Sequence, residues 1–358
     1  MTIVAQTHAF VVGADTHSRT HALAIMANSG ELLDERTFPA TKPAMARALD
    51  WAARRTGGDL GTLWVIEGAA TYGAQLCHTV QEAGYPVIEA PAMSARTRRG
   101  VGKSDPLDAR RIAAAALPLE NSKLRHPRDD AGQRAALRVL TTARDQMTRE
   151  HTAAVNALIA LARTIDLGLD ARQGLGAAQL AAIATWRTRS EPLHVKVARA
   201  EAIRLARRIA ALDDDLVHNR DTLTAILDET PARSLLDLPG IGAVTAAVVL
   251  TAWSHPGRVR SEAAFANLAG VSPVPASSGN TVRHRLNYGG DRDLNRALHW
   301  AVVTRMRMDP LTRAYVERRR AEGLTTKEIR RCLKRYLARQ IHRHLTRAYA
   351  QSQPLDRT

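Results

Sequence analysis

Short apolar runs that end in single acids open this chain, and long stretches of helical periodicity close it. Residues 10–14 read as a buried strand that ends in Asp15. Residues 22–26 read as the next strand, and Asn28-Ser29-Gly30 supplies turn chemistry before Glu31-Leu32-Leu33. The result is a hairpin with an acid on its first strand. Helical spacing resumes over residues 44–53. Leu63-Trp64-Val65-Ile66 is another apolar strand, ending in Glu67, and Gly68 and Gly73 flank the entry to a further helix. Pro86-Val87-Ile88-Glu89 reads as one more strand. This alternation predicts an α/β domain with a mixed sheet. A sheet can hold acids at its strand ends at fixed separation.

Pro127 and the charged Arg128-Asp129-Asp130 mark a boundary. Over residues 135–165, Leu137, Leu140, Met147, Ala154, Leu158 and Leu161 recur at helical or heptad-like intervals. A second stripe, Ile203, Ala206, Ile209, Leu212 and Leu216, falls within residues 195–216. Gly168 and Gly174-Leu175-Gly176 break the pattern between them. Two readings stay open: an antiparallel stalk or dimer surface, and an ordinary intramolecular bundle. Arg144 and His151 interrupt a strict coiled-coil seam.

Charge narrows the class of partner. A formal charge of +16 predicts attraction to a polyanion, without sequence preference. Aromatic residues make up only 4%, so a surface built from many stacked bases is not expected. An apolar content of 45% argues for packed cores rather than disorder. Cys77 and Cys332 lie far apart and supply neither zinc spacing nor a disulfide framework. No apolar run approaches membrane-spanning length and no signal-type segment opens the chain, so a cytoplasmic protein acting on nucleic acid is expected.

Asp105 and Asp108 are three residues apart at a helix start, which puts both on nearly the same face. With Asp15 and Glu67 near them, oxygen ligands for one or two Mg²⁺ ions are in place, and such ions polarise phosphates. The competing reading makes Asp105 an N-cap, Pro106 N1 and Asp108 N3. Capping leaves the surrounding Arg96, Arg98, Arg99, Lys103, Arg110 and Arg111 unexplained, and these suit a phosphate backbone as well as ordinary solvation. His17 is a possible neighbour of the acids; His21 and His78 read as structural or surface residues.

The last third carries two further signals. The stretch from Leu235 through Leu238-Pro239-Gly240-Ile241-Gly242 to Ala246 looks like a helix-hairpin-helix element, with Gly240 and Gly242 permitting a tight turn and a helix N-terminus facing a phosphate. Its competing reading is a packing hairpin that never touches DNA. Ser277-Ser278-Gly279-Asn280, followed by Arg283, His284 and Arg285, reads as an accessible serine beside guanidinium groups, or as a passive phosphate clamp. Residues 313–347 hold 12 Lys or Arg against 3 acids. In that segment Thr325 is a cap candidate with Glu328 three residues later, and Arg330, Arg331, Lys334, Arg335 and Arg339 form a basic surface suited to nucleic acid.

Taken together, these motifs resemble the transposases of the IS110 group of insertion sequences, over nearly the whole chain. Gly13-Ala14-Asp15-Thr16-His17, Ile66-Glu67-Gly68-Ala69 and Lys103-Ser104-Asp105-Pro106-Leu107-Asp108-Ala109-Arg110 resemble the group's RuvC-like, RNase-H-fold DEDD domain. Leu238-Pro239-Gly240-Ile241-Gly242, Ala269-Gly270-Val271-Ser272-Pro273 and Ser277-Ser278-Gly279 resemble its second, serine-containing domain. The segment from Arg285 to Leu298 departs from the common family form.

The resemblance implies a site-specific DNA recombinase. Asp15, Glu67, Asp105 and Asp108 would hold Mg²⁺, and Ser278, the serine directly before glycine, would form a covalent phosphoserine–DNA intermediate. Local chemistry leaves Ser277 open. The resemblance also implies double-stranded DNA at element ends and target, an element-encoded guide RNA, and a homodimer or homotetramer. The expected organisation is a RuvC-like domain over residues 8–126, a helical linker or coiled-coil region over 127–228, and a mainly α-helical transposase domain over 229–347. A flexible tail over 348–358 completes it. Two other functions remain in view: a RuvC-like Mg-dependent endonuclease, and a noncatalytic DNA- or RNA-binding protein.

Overall fold

A computed structural model describes residues 2–91, 104–128, 132–187, 189–276 and 284–352. The chain divides into two compact units, Met1–Asp130 and Ala131–Thr358.

The first unit opens with a short helix, α1 (Val4–Thr7), followed by three consecutive strands, β1 (Phe10–Thr16), β2 (Thr20–Ala27) and β3 (Leu32–Pro39). Then come α2 (Lys42–Arg55), β4 (Leu63–Ile66), α3 (Ala74–Glu82), β5 (Val87–Glu89) and α4 (Asp105–Ala116). The strands form one sheet in the order β3-β2-β1-β4-β5. β1 pairs antiparallel with β2 and parallel with β4; β2–β3 is antiparallel and β4–β5 parallel. The sheet is therefore mixed, as the sequence predicts. A mixed sheet in an α/β unit followed by a helical unit is consistent with a RuvC-like fold.

Strand alternation sorts the side chains onto two faces. Val12, Ala14, Leu23, Ile25, Trp64 and Ile66 pack with α2 and α3. Val11, Leu63, Val65 and Ile88 pack on the other face with Ile112, Ala113 and Ala116 of α4. Both faces are covered, which explains why the inner strands read as near-continuous apolar runs.

The second unit is helical. It contains α5 (Gly132–Thr164), α6 (Ala177–Ala184), α7 (Leu193–Asp228), a 3₁₀ turn at Pro231–Asp237, α8 (Ala243–Trp253) and α9 (Glu262–Leu268). The two-residue strands β6 (Val274–Pro275) and β7 (His284–Arg285) pair antiparallel. α10 (Arg292–Met308), α11 (Pro310–Ala321) and α12 (Thr326–Ser352) complete it.

α5 and α7 pair antiparallel within the chain. Asn219 Nδ2 donates to Leu140 O at 3.0 Å, Arg144 to Leu216 O at 2.7 Å, and His151 meets Asp213 at 3.1 Å. Arg144 and His151, which break the apolar seam in sequence, are thus satisfied by polar partners across it. α7 runs well beyond the expected residue 216, because Leu223 and Leu227 continue its stripe into the C-terminal core beside Trp253, Phe265, Leu298 and Ile341. α6 follows the Gly174-Leu175-Gly176 break and buries Ile183 against Leu158, Ala202 and Ile209.

Candidate functional site

Val11 and Gly13 lie on the α4 side of β1, and Asp15 keeps their phase. Glu67, directly after β4, is in phase with Leu63 and Val65 of the same face. Gly13 lets α4 approach: a Cβ there would lie 2.6 Å from Ala113 N. The helix start that carries Asp105 and Asp108 is thereby brought to the end of the strand that carries Asp15.

The helix start is shifted from the sequence reading. Ser104, extended at φ −149° and ψ 147°, is the N-cap; Asp105 is the first helical residue, and Pro106 follows at N2. Asp108 therefore lies one position further into the helix than N3, with its N–H donating to Ser104 O at 3.0 Å. The Ser104 side chain makes no capping hydrogen bond, and Asp105 stands inside the helix rather than at its cap.

Asp15 is 7% exposed. Its Oδ2 lies 3.2 Å from His17 Nε2, which also lies 3.7 Å from Asp105 Oδ1. One ligand atom from each of these three residues falls within 4.8 Å of the others. Burial raises the Asp15 carboxyl above its usual range; the charge and hydrogen bond of His17 pull it back, and the charges of Asp105 and Asp108 push it up again. Asp108 accepts from Arg111 at 3.1 Å. Glu67 is exposed and outside the close trio, although its backbone is tied to β1: its N–H donates to Ala14 O at 2.9 Å, and Thr16 Oγ1 donates to its carbonyl at 2.6 Å.

Converging carboxylates of this kind repel one another unless a cation lies between them. Neighbouring ligands about 2.1 Å from one divalent ion lie roughly 3 Å apart. The 3.2 Å separation of Asp15 and His17 fits that spacing. The residues present therefore suit a divalent cation.

Arg110 and Arg111 of α4 are engaged within their own unit. Arg110 makes a bidentate pair with Glu35 of β3, and Arg111 pairs with Asp108. Arg96, Arg98, Arg99 and Lys103 lie outside the described residues, as do Ser277, Ser278, Gly279 and Arg283.

In the second unit, Gly240 turns the chain with φ +74°, and Gly242 is the N-cap of α8. The arm before the turn is a 3₁₀ segment rather than an α-helix. The turn packs on α10: Arg305 Nε donates to Pro239 O at 2.6 Å, and a Cβ on Gly240 would lie 2.5 Å from Ala301 O.

A cavity of about 490 Å³ lies beside Gly270–Pro273 and is lined by Arg285, Arg331, Lys334 and Arg335. Lys334 is half-buried. It donates to Asn295 Oδ1 at 2.9 Å, and Asn295 in turn donates to Ala269 O at 2.7 Å. Burial first, and then Arg331, lower its pKa. Glu328, the acid of that cavity, is taken up by the Thr325 N–H and hydroxyl, in the capping box the sequence predicts. Arg330 is half-buried, and Arg339 pairs with Glu262 at 2.8 Å. The pairings of Lys334, Arg339 and Arg110 are long-range, so no local signal announces them. His17 does carry one: two residues after Asp15, an extended backbone returns to the same side.

Family models match two stretches of this chain. The IS110 DEDD transposase model, described as "Transposase", matches residues 12–165, and the model described as "Transposase IS116/IS110/IS902 family" matches residues 232–317. The chain is 25% identical to the "Insertion element IS110 uncharacterized 43.6 kDa protein" of Streptomyces coelicolor, with 88% of each chain covered. It is 27% identical to the "Insertion element IS900 uncharacterized 42 kDa protein" of Mycobacterium paratuberculosis, over 87% of this chain and 89% of that one.

Proposed function

Because the chain belongs to the IS110 family of transposases, and is thus a DNA transposase or recombinase, we propose that it excises and inserts its element by metal-assisted strand exchange through a phosphoserine. The observation that carries the metal half is the approach of the Asp15 and Asp105 carboxylates to a common point beside His17. Asp15 and Asp105 would hold the cation, with Glu67 and Asp108 flanking. When bound, Mg²⁺ would neutralise charge on the scissile phosphate.

The covalent half is assigned to Ser278. Its oxygen bonds to phosphorus while the bond to the 3′-oxygen breaks, and the departing strand leaves as a 3′-hydroxyl. The 3′-hydroxyl of the exchanged strand then attacks the same phosphorus, reforms a phosphodiester and returns the serine. The exchange is isoenergetic in bond type and needs no nucleotide cofactor. Arg331, Lys334, Arg335 and Arg285 supply a positive cavity for backbone phosphates. Their partner is double-stranded DNA, with an element-encoded guide RNA and a homodimer or homotetramer completing the machine. Among the described residues no helix is long and apolar enough to cross a membrane.

The test incubates full-length protein with element-end DNA, the element's noncoding RNA and Mg²⁺, and looks for a denaturation-resistant protein–DNA adduct mapped by mass spectrometry. An adduct at Ser278, lost in Ser278→Ala and in Asp105→Ala, supports the two-part mechanism. Cleavage without an adduct, abolished by Asp105→Ala alone, makes the protein a metal-dependent nuclease instead.

A further inference from the structure

The two converging carboxylates have a nitrogen neighbour that an all-oxygen magnesium site does not require. We propose that His17 is itself a ligand of the divalent cation, through Nε2, and that the centre consequently favours Mn²⁺ over Mg²⁺. This inference rests on the metal-centre reading above and deepens it.

Three observations carry it. First, Nε2 faces both acids, 3.2 Å from Asp15 Oδ2 and 3.7 Å from Asp105 Oδ1. Adjacent corners of an octahedron with bonds of about 2.1 Å are roughly 3 Å apart, and opposite corners roughly 4.2 Å. Both distances fall in that interval, so one ion can reach His17 Nε2 together with either acid, and all three ligand atoms lie within 4.8 Å of one another.

Second, the backbone fixes the approach. His17 N–H donates to Thr20 O at 3.0 Å as the chain turns from β1 into β2, and Thr16 pairs with His21. The ring is thus held one turn position beyond the strand that presents Asp15. His21, the other histidine of this hairpin, has Leu23 and Ile25 in its phase, which pack toward α2 and α3; Asp15 shares the α4 side with Val11. Strand parity therefore separates His21 from the acids.

Third, the trio is open on one side. The Asp15 side chain is 9% exposed, whereas those of His17 and Asp105 are 52% and 50% exposed. One buried and two exposed donors would leave the outward side of a bound ion to non-bridging phosphate oxygens. Imidazole nitrogen is a poor partner for Mg²⁺, which demands oxygen, and a good one for transition metals. The competing role is positional: His17 would orient Asp15 by a hydrogen bond and never touch the ion.

Electron spin-echo modulation on the full-length protein loaded with Mn²⁺ separates the two. The expected result is ¹⁴N coupling from a directly bound imidazole, converted to a ¹⁵N pattern when the histidines are ¹⁵N-labelled and lost in His17→Gln. Mn²⁺ affinity should fall roughly 10- to 100-fold in that variant, at least the loss typical of an outer-shell partner, while Mg²⁺ affinity changes much less. Absence of nitrogen coupling in the wild type, with Mn²⁺ binding still lost in the Asp15→Asn/Asp105→Asn double variant, overturns the ligand role and leaves the metal centre standing. Nitrogen coupling that persists in His17→Gln also overturns it. Mn²⁺ binding indifferent to the double variant removes the metal-centre reading, and the inference with it.

Discussion

A Cβ on Gly13 would sit 2.2 Å from the carbonyl oxygen of Ala109. β1 and α4 therefore touch backbone to backbone, and the acids they carry meet because of it. Gly13→Ala must push α4 off the sheet. A loss of about 1–3 kcal/mol is expected from this overpacking, together with weakened divalent-ion binding. Urea unfolding and calorimetric Mn²⁺ titration of the same variant check both. A variant with wild-type stability and affinity would show that the close approach is not what positions the acids.

Asp15→Asn and Asp105→Asn should lower Mg²⁺-dependent strand cleavage by about two orders of magnitude or more, while DNA binding persists. Without metal, Asp15→Asn should leave stability unchanged or higher. The ionised Asp15 is disfavoured by burial and by the neighbouring charges of Asp105 and Asp108, and the amide removes that cost. Metal-free denaturation midpoints beside single-turnover cleavage rates test this opposite behaviour of stability and activity.

Gly240 and Gly242 should respond differently to alanine. At Gly240, φ is +74° and a Cβ would lie 2.5 Å from Ala301 O, so Gly240→Ala should cost about 1–3 kcal/mol. At Gly242, φ is −97° and a Cβ meets open space, so Gly242→Ala should cost less than about 1 kcal/mol. Paired urea midpoints decide it, and equal losses would contradict the packed turn.

Acid sensitivity should come in part from Asp34. Its carboxylate accepts from Arg55 at 2.6 Å, Trp51 at 3.0 Å and the Glu35 N–H at 2.8 Å, and the Arg55 hydrogen bond is the largest cause holding its pKa below the usual range. A depressed folded pKa stabilises above the unfolded value and loses that contribution as pH falls through the folded value. Asp34→Asn should therefore cost about 1 kcal/mol near neutrality, discounted for the exposed Arg55. The difference from wild type should shrink below about pH 4, where an unfolded aspartate protonates. Urea midpoints across that range measure it.

Much of the first unit was legible because its signals are local. Alternation and apolar runs mark β1, β2, β4 and β5, and turn residues mark Asn28-Ser29-Gly30. The capping box of Thr325 and Glu328 was equally readable, since its partners are three residues apart. α4 starts one residue earlier than the cap pattern predicts, because both Ser104 and Asp105 are good cap residues. Only the backbone torsions, extended at Ser104 and helical from Asp105, separate them.

The basic surfaces show the other limit. Composition determines that this chain is strongly positive, but not which cations are available. Arg339 is held by Glu262 and Arg110 by Glu35, acids far away in the chain, whereas the neutral Asn295 only positions Lys334. By itself, then, the amino-acid order determined the strand and helix periods, the charge and the acids at element ends, because these depend on neighbours within a few residues. The tertiary structure decided which acids meet beside His17. That meeting depends on α4 crossing β1 at a glycine, a contact between segments that share no local pattern.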